Sequence, residues 1–184
     1  MTFTLRKATL DDVPVLEEVI AASARGLSRG DYTAAQVEAA LEGAFGVDSE
    51  LIRDGTYFVA EAAGAIVACG GWSRRQTRFG SDRQPGRVSA VLDPARDAAR
   101  IRAFFVRPEW ARRGLGRLLL ERCEAEARAH GFRALELVAT LPGLPLYQAC
   151  GYVAAEPIDH PLADGLTIRF VPMRKELGSD RSSG

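Results

Sequence analysis

Residues 101–131 constrain the chain most. Ile101-Arg102-Ala103-Phe104-Phe105-Val106 is an apolar, β-rich run, Pro108 breaks it, and Ala111-Arg112-Arg113-Gly114-Leu115-Gly116-Arg117 leads into a helix that continues Leu118-Leu119-Leu120. A helix N-terminus presents unpaired N–H groups and a partial positive charge, and glycines let a ligand approach without a Cβ in the way, so this order suits an anion. Arg112, Arg113 and Arg117 add forked donors for phosphate oxygens. Leu115, Leu118, Leu119 and Cys123 recur at helical spacing and turn that side of the helix toward a sheet. Glycines and arginines at helix starts also serve as ordinary caps on solvated faces, so the turn alone leaves both readings open. Two better-known phosphate loops are excluded: the third glycine of a dinucleotide fingerprint would fall at Leu119, and no Gly-Lys-Ser/Thr follows for a Walker loop.

The rest of the chain predicts a mixed α/β (α+β) domain with one central, mostly antiparallel sheet flanked by helices. Residues 2–7 read as a strand. Thr9, Asp11 and Asp12 open a helix carrying Val13, Leu16, Val19 and Ile20, which breaks at 25–31, and Thr33 caps a second with Val37, Ala40 and Leu41 on one face. Strands over 56–62 and 65–73 join at Ala63-Gly64 as a hairpin. Residues 74–98, rich in Arg, Gly, Ser, Asp and Pro, form a long loop of the kind that often carries function. Then follow a strand (100–106), helix (114–130), strand (134–139), short helix (143–150) and strands at 152–155 and 166–173. The domain spans 1–175, and 176–184, Ser- and Gly-rich from Gly178, reads as a disordered tail.

With 184 residues, 47% hydrophobic, a single core is expected. Lys plus Arg and Asp plus Glu number 24 each, so no global field favours nucleic acid or a membrane surface. Cys69, Cys123 and Cys150 are odd in number and widely spaced, which fits a reducing cytoplasm and no disulfide framework. His130 and His160 are too few for a histidine metal site, and no metal is expected. No apolar run reaches the ~20 residues of a membrane span, and Met1-Thr2-Phe3-Thr4-Leu5-Arg6-Lys7 lacks a long apolar core before a cleavage site, so a soluble protein that is not exported is expected.

Taken together, Val106-Arg107-Pro108, Arg113-Gly114-Leu115-Gly116 and Leu146-Tyr147-Gln148-Ala149-Cys150-Gly151-Tyr152 resemble the signatures of the GCN5-related N-acetyltransferase superfamily: a strand ending Val-x-Pro, Gln/Arg-x-x-Gly-x-Gly/Ala, and Phe-Tyr-x-x-x-Gly-Phe. Ala111 stands in place of the first Gln or Arg. The resemblance implies acetyl-CoA as acyl donor, with residues Ala111, Arg112, Arg113, Gly114, Leu115, Gly116 and Arg117 at its pyrophosphate and Phe105 and Val106 lending backbone groups to the pantetheine arm. Thr140 stands where many relatives place an Asn that reaches the cofactor. It also implies a cytoplasmic N-acetyltransferase that acts on a primary amine of a small molecule or peptide by direct transfer in a ternary complex, and it leaves room for a homodimer. A non-catalytic acyl-CoA-binding module and a transferase of a different acyl group stand as alternatives.

Such a transfer needs a neutral amine, donors for the carbonyl oxygen and a proton for the departing thiolate. The resemblance places strand N–H groups at the carbonyl. Tyr147, a phenol of reference pKa about 10, is the candidate acid for a thiolate of about 8.5; its structural alternative is packing of a short helix on the sheet. The base is unassigned. Relatives often carry a Glu on the strand before the turn, but Arg100 and Arg102 flank Ile101 here, and Asp31, Asp93 and Glu109 have nothing further to recommend them. The acceptor is expected between residues 22–32, the strand end at 70–75 and the following loop, with Tyr32, Trp72 and Arg74 as its contacts and Arg74, Arg75 and Arg78 hinting at an acidic group on it.

Overall fold

A computed structural model describes residues 2–178. Its elements are β1 (Thr4–Lys7), α1 (Val13–Leu27), α2 (Ala34–Leu41), α3 (Ser49–Arg53), β2 (Tyr57–Ala62), β3 (Ala65–Ser73), β4 (Ala99–Val106), α4 (Leu115–Ala129), β5 (Ala134–Thr140), α5 (Leu144–Ala149), β6 (Val153–Ala154), β7 (Ile158–Pro161) and β8 (Thr167–Glu176). The strands form one sheet in the order β1-β2-β3-β4-β5-β8-β6, with β7 also on β8. Only β4 and β5 run parallel.

Local chemistry explains the expected elements. Ala63 (φ 50°) and Gly64 (φ 78°) supply the two positive φ angles of a tight hairpin turn between β2 and β3. At α2 the Thr33 hydroxyl accepts from Gln36 N (3.1 Å) while Gln36 Oε1 accepts from Thr33 N (2.8 Å), a reciprocal cap. Two elements, α3 and β7, were not expected. β8 runs to Glu176, and the buried Leu177 donates its N–H to Arg133 O, so the folded chain passes the expected boundary at 175. The remainder of that predicted tail, from 179 onward, lies outside the described residues.

The sheet divides the core into two layers. On one face α4 lays Leu115, Leu119, Cys123 and Ala127 against Trp72, Phe132, Leu135 and Leu137; on the other α1 and α2 bring Leu16, Val19, Ile20, Val37 and Ala40 onto Tyr57, Val59, Ile168 and Phe170. The sheet's central defect positions everything that follows. β4 pairs with β5 only at Ala99↔Leu135 and Arg100↔Glu136, its register on β3 shifts between Cys69 and Gly71, and Ala103 takes a φ of 55°. Such a bulge bends the strand and re-aims its backbone groups. Beyond Arg100 the two strands no longer pair with one another.

Candidate active site

A cavity of about 580 Å³ occupies the divergence of β4 and β5, walled by β4 itself, the turn into α4, the start of α5, the end of α1, the segment after α2 and part of the long loop. Phe105, Val106, Ala111, Arg112, Gly114, Leu115, Gly116, Arg117, Thr140 and Tyr147 all line it, bringing together most of the residues expected at a cofactor.

At one end stands the N-terminus of α4. Gly114 is its N-cap at φ 83°, preceded by Arg112 at φ 59°, and no side chain caps this end. The first-turn N–H groups of Leu115, Gly116 and Arg117 therefore have no side-chain cap, the arrangement that suits an anion. A Cβ at Gly114 would meet nothing within 4 Å, so the turn needs this glycine for its backbone angle. Gly116 is glycine for another reason: a Cβ there would lie 2.7 Å from Leu146 Cδ2, so it lets α5 pack on α4. Arg112 and Arg117 are exposed at the mouth. Arg113 departs from expectation. Its guanidinium lies 4.7 Å over the Trp110 ring and donates to Glu109 O (3.2 Å), off the cavity wall; stacking on an indole competes for its planar face.

Midway along, Val106 N donates to the hydroxyl of Ser23 (3.2 Å), a buried α1 residue on the cavity wall. Of Val106's backbone groups, its N–H is thus already engaged. Ser23 was not expected at the site, though a hydroxyl on the apolar stripe of Leu16, Val19 and Ile20 was a signal. Thr140 Oγ1 accepts from Gly143 N (3.2 Å) at the entry to α5. Tyr147 projects from α5 into the buried layer, its ring 6.2 Å from Phe104 and 5.9 Å from Tyr152. Burial pushes its phenol well above the usual value. Its hydroxyl makes no hydrogen bond among the described residues.

The acceptor contacts need correction. Trp72 is fully buried in the α4 layer, donating Nε1–H to Glu126 Oε2 (3.1 Å) and packing on Phe132 and His130, away from the cavity. Tyr32 is a buried strap, its hydroxyl donating to Arg169 O (2.5 Å) and accepting from Leu141 N (2.9 Å), with burial raising its pKa to about 12. Arg74 accepts Leu92 N–H at its carbonyl (2.7 Å) and does not reach the cavity. Arg75 is held by both oxygens of Asp54 (2.7 and 2.9 Å). Arg78 alone of these loop arginines lines the cavity, beside Phe79, Gly80, Phe45 and Phe170.

Both arginines of β4 are fixed. Arg100 pairs with Glu136 where the β4–β5 ladder ends. Arg102, 3% exposed, donates to Asp48 Oδ2 (2.9 Å), Thr77 O (3.2 Å) and Gly80 O (2.8 Å). Arg87 reaches the other oxygen of Asp48 (2.5 Å). Burial depresses the Arg102 pKa against the pull of Asp48. The cavity-lining titratable groups are Arg78, Arg102, Arg112, Arg117 and Tyr147, with no Asp, Glu, His, Lys or Cys among the described residues on its wall. Asp31, Asp93 and Glu109 all lie elsewhere, exposed. Among the described residues no three of His, Cys, Asp and Glu cluster to hold a metal, and no helix is long and apolar enough to cross a membrane.

A model of the Acetyltransferase (GNAT) family matches residues 23–152. Similar solved structures include a GCN5-related N-acetyltransferase from Rhodopseudomonas palustris (22% identity, TM-score 0.71, covering 96% of this chain and 97% of that one). Others are PaiA N-acetyltransferase from Thermoplasma acidophilum in complex with coenzyme A (16%, 0.64, 96% and 99%) and YncA, a putative acetyltransferase from Salmonella typhimurium, with acetyl-CoA (16%, 0.63, 100% and 99%). At these identities the likeness is one of fold. No curated protein sequence matches the chain.

Proposed function

The chain belongs to the acetyltransferase (GNAT) family, and from that premise we propose that it transfers the acetyl group of acetyl-CoA directly to a primary amine of a small molecule or peptide. One observation carries the reading: a single cavity joins the uncapped start of α4, the part of β4 beyond its pairing with β5 and the unbonded hydroxyl of Tyr147.

The residues present suit the cosubstrate. N–H groups of Leu115, Gly116 and Arg117, with the guanidiniums of Arg112 and Arg117, form a donor set for pyrophosphate. Acetyl-CoA, when bound, supplies an electrophilic thioester carbonyl and a thiolate leaving group. The bulge at Ala103 fixes the β4 backbone, its carbonyl accepting from Tyr57 OH (2.7 Å), so N–H groups facing the gap to β5 act as preorganised donors to the carbonyl oxygen. Tyr147, whose phenol burial holds above its usual value and hence protonated, gives its proton to the departing sulfur and takes in turn the proton lost by the amine nitrogen. The wall's other nucleophiles, the hydroxyls of Ser23, Ser28 and Thr140, have no base beside them, which favours direct transfer over an acyl-enzyme.

Thermal shift followed by thiol release over a panel of amines tests this. Acetyl-CoA at about 100 times its Kd adds about 2.7 kcal/mol, a rise of roughly 5–10 °C in Tm for a chain this size. No shift at millimolar acetyl-CoA refutes the cofactor assignment. The wall's lack of an acidic base favours a second reading, an acyl-CoA-binding module without chemistry; binding with no turnover of any amine would select it.

A further inference from the structure

Resting on that reading of the cavity, we propose that the acceptor is a small amine with an apolar body and a carboxylate, and that Arg78 is the residue that selects the carboxylate. At the acceptor end, away from the α4 N-terminus, the wall is aromatic. Phe79 lies edge-on to Phe170 (5.4 Å), and Phe45 packs on both Phe170 (6.1 Å) and Phe105 (6.0 Å). Into this apolar wall comes one exposed guanidinium, Arg78, with no ion pair or hydrogen bond among the described residues.

Its placement is fixed from both sides. The Arg102 guanidinium donates to Thr77 O through Nη1 and to Gly80 O through Nη2, so it brackets the Arg78-Phe79 dipeptide, while Asp48 neutralises it from behind. The Thr77 hydroxyl, donating to Val88 O (2.7 Å), ties the same segment to the far side of the loop. A buried ion pair thus presents Arg78 on a held backbone, and a charge beside an apolar wall acts more strongly than one in open water. A planar guanidinium matches a carboxylate with two parallel hydrogen bonds. With no acid on the wall, the same cationic end repels an ammonium and favours the neutral amine that attack requires. The electrostatics therefore select an anion on the acceptor and a free base at its nitrogen.

The test compares 4-(aminomethyl)benzoate with benzylamine, which share a ring and a benzylic amine and differ in the carboxylate, alongside apolar amino acids and their decarboxylated amines. Thiol release is followed at saturating acetyl-CoA. Each acid-bearing member is expected to exceed its neutral partner in kcat/KM by roughly tenfold to a hundredfold, the range for one charge-assisted pair. Arg78→Glu removes that preference, chiefly by raising KM for the acids relative to their neutral partners, while the acetyl-CoA thermal shift persists as the check on the fold and the cofactor end; Arg78→Lys keeps part of it. Neutral amines turned over as well as or better than their acids would overturn the proposal, as would an undiminished preference in Arg78→Glu, or turnover of neutral amines only. Failure of acetyl-CoA to shift the melting temperature would instead strike at the acetyltransferase reading itself.

Discussion

Replacing Asp48 by asparagine isolates the charge that holds the cavity wall. Asp48 is 2% exposed, and its carboxylate serves three donors: Glu50 N at the start of α3 (3.0 Å), Arg87 Nη2 (2.5 Å) and Arg102 Nη2 (2.9 Å). Asparagine caps a helix as well as aspartate does, so α3 keeps its start. What the substitution removes is the counter-charge between two guanidiniums, of which Arg102 is buried. An uncompensated buried charge costs about 3–5 kcal/mol, or roughly 6–20 °C in Tm for a chain this size. Arg102→Met alone loses the donors to Thr77 O and Gly80 O, at about 1–3 kcal/mol for each buried group left unmet, but leaves Asp48 paired with Arg87. Once the Asp48→Asn change is made, however, Arg102 is a liability, because its charge faces Arg87 with no anion between. Adding Arg102→Met to Asp48→Asn is therefore expected to cost far less than in the wild type, and the cycle should show a coupling of about 2 kcal/mol or more, near the upper end for contacting residues. Urea unfolding gives the four free energies, with equal m-values as the check on two-state behaviour. An Arg102→Met cost that is the same in both backgrounds would refute the charge argument.

Three further outcomes follow from the site. Tyr147→Phe keeps the buried ring and removes only the unbonded hydroxyl, so kcat should fall by about a hundredfold while the acetyl-CoA thermal shift persists; unchanged kcat would remove Tyr147 as the acid. Gly114→Ala adds a Cβ with open space around it and strains only the φ of 83°, at roughly 1–2 kcal/mol, and should retain cofactor binding; Gly114→Asp adds negative charge at the anion site and should abolish it, which isothermal titration with acetyl-CoA would reveal. Because no carboxylate or histidine among the described residues lines the cavity, log kcat/KM should rise with pH until the acceptor's own amine pKa, and the break should move when an amine of different pKa is used. A break that stays fixed below neutrality for every amine would implicate His160, which stands behind Phe79 (4.8 Å) with its pKa lowered by burial.

How far the sequence reached depended on the range of the interactions involved. The β2–β3 turn, the Thr33 cap and the α4 start are set within a few residues, and each was legible. α3 was not, because five residues become a helix only when Asp48 caps them and is itself held by Arg102, distant in sequence. β7 exists by pairing with β8. Trp72 misled for a different reason. Alternation assigns faces only to a strand with one wet side, and β3 is buried on both along nearly its whole length, so the pattern could not say which layer the indole enters. Tyr32 was misplaced because its hydroxyl joins Arg169 and Leu141, contacts that no local pattern encodes.

The two arginines of β4 tie these threads together. In the sequence they only marked the lack of a carboxylate on the strand that borders the acceptor. In the fold each is structural. Arg100 closes the short parallel ladder through Glu136, at the point beyond which β4 and β5 diverge, and Arg102 grips the loop at Thr77 and Gly80. A glutamate at position 102 would face Asp48 across the same buried space, repelling it and freeing the segment that carries Arg78. The position that could have held a base instead holds the wall, so in the proposed transfer deprotonation falls to the acceptor's own chemistry. On the acceptor proposed above, selection of an anion in its free-base form and the missing base would be two results of one buried ion pair.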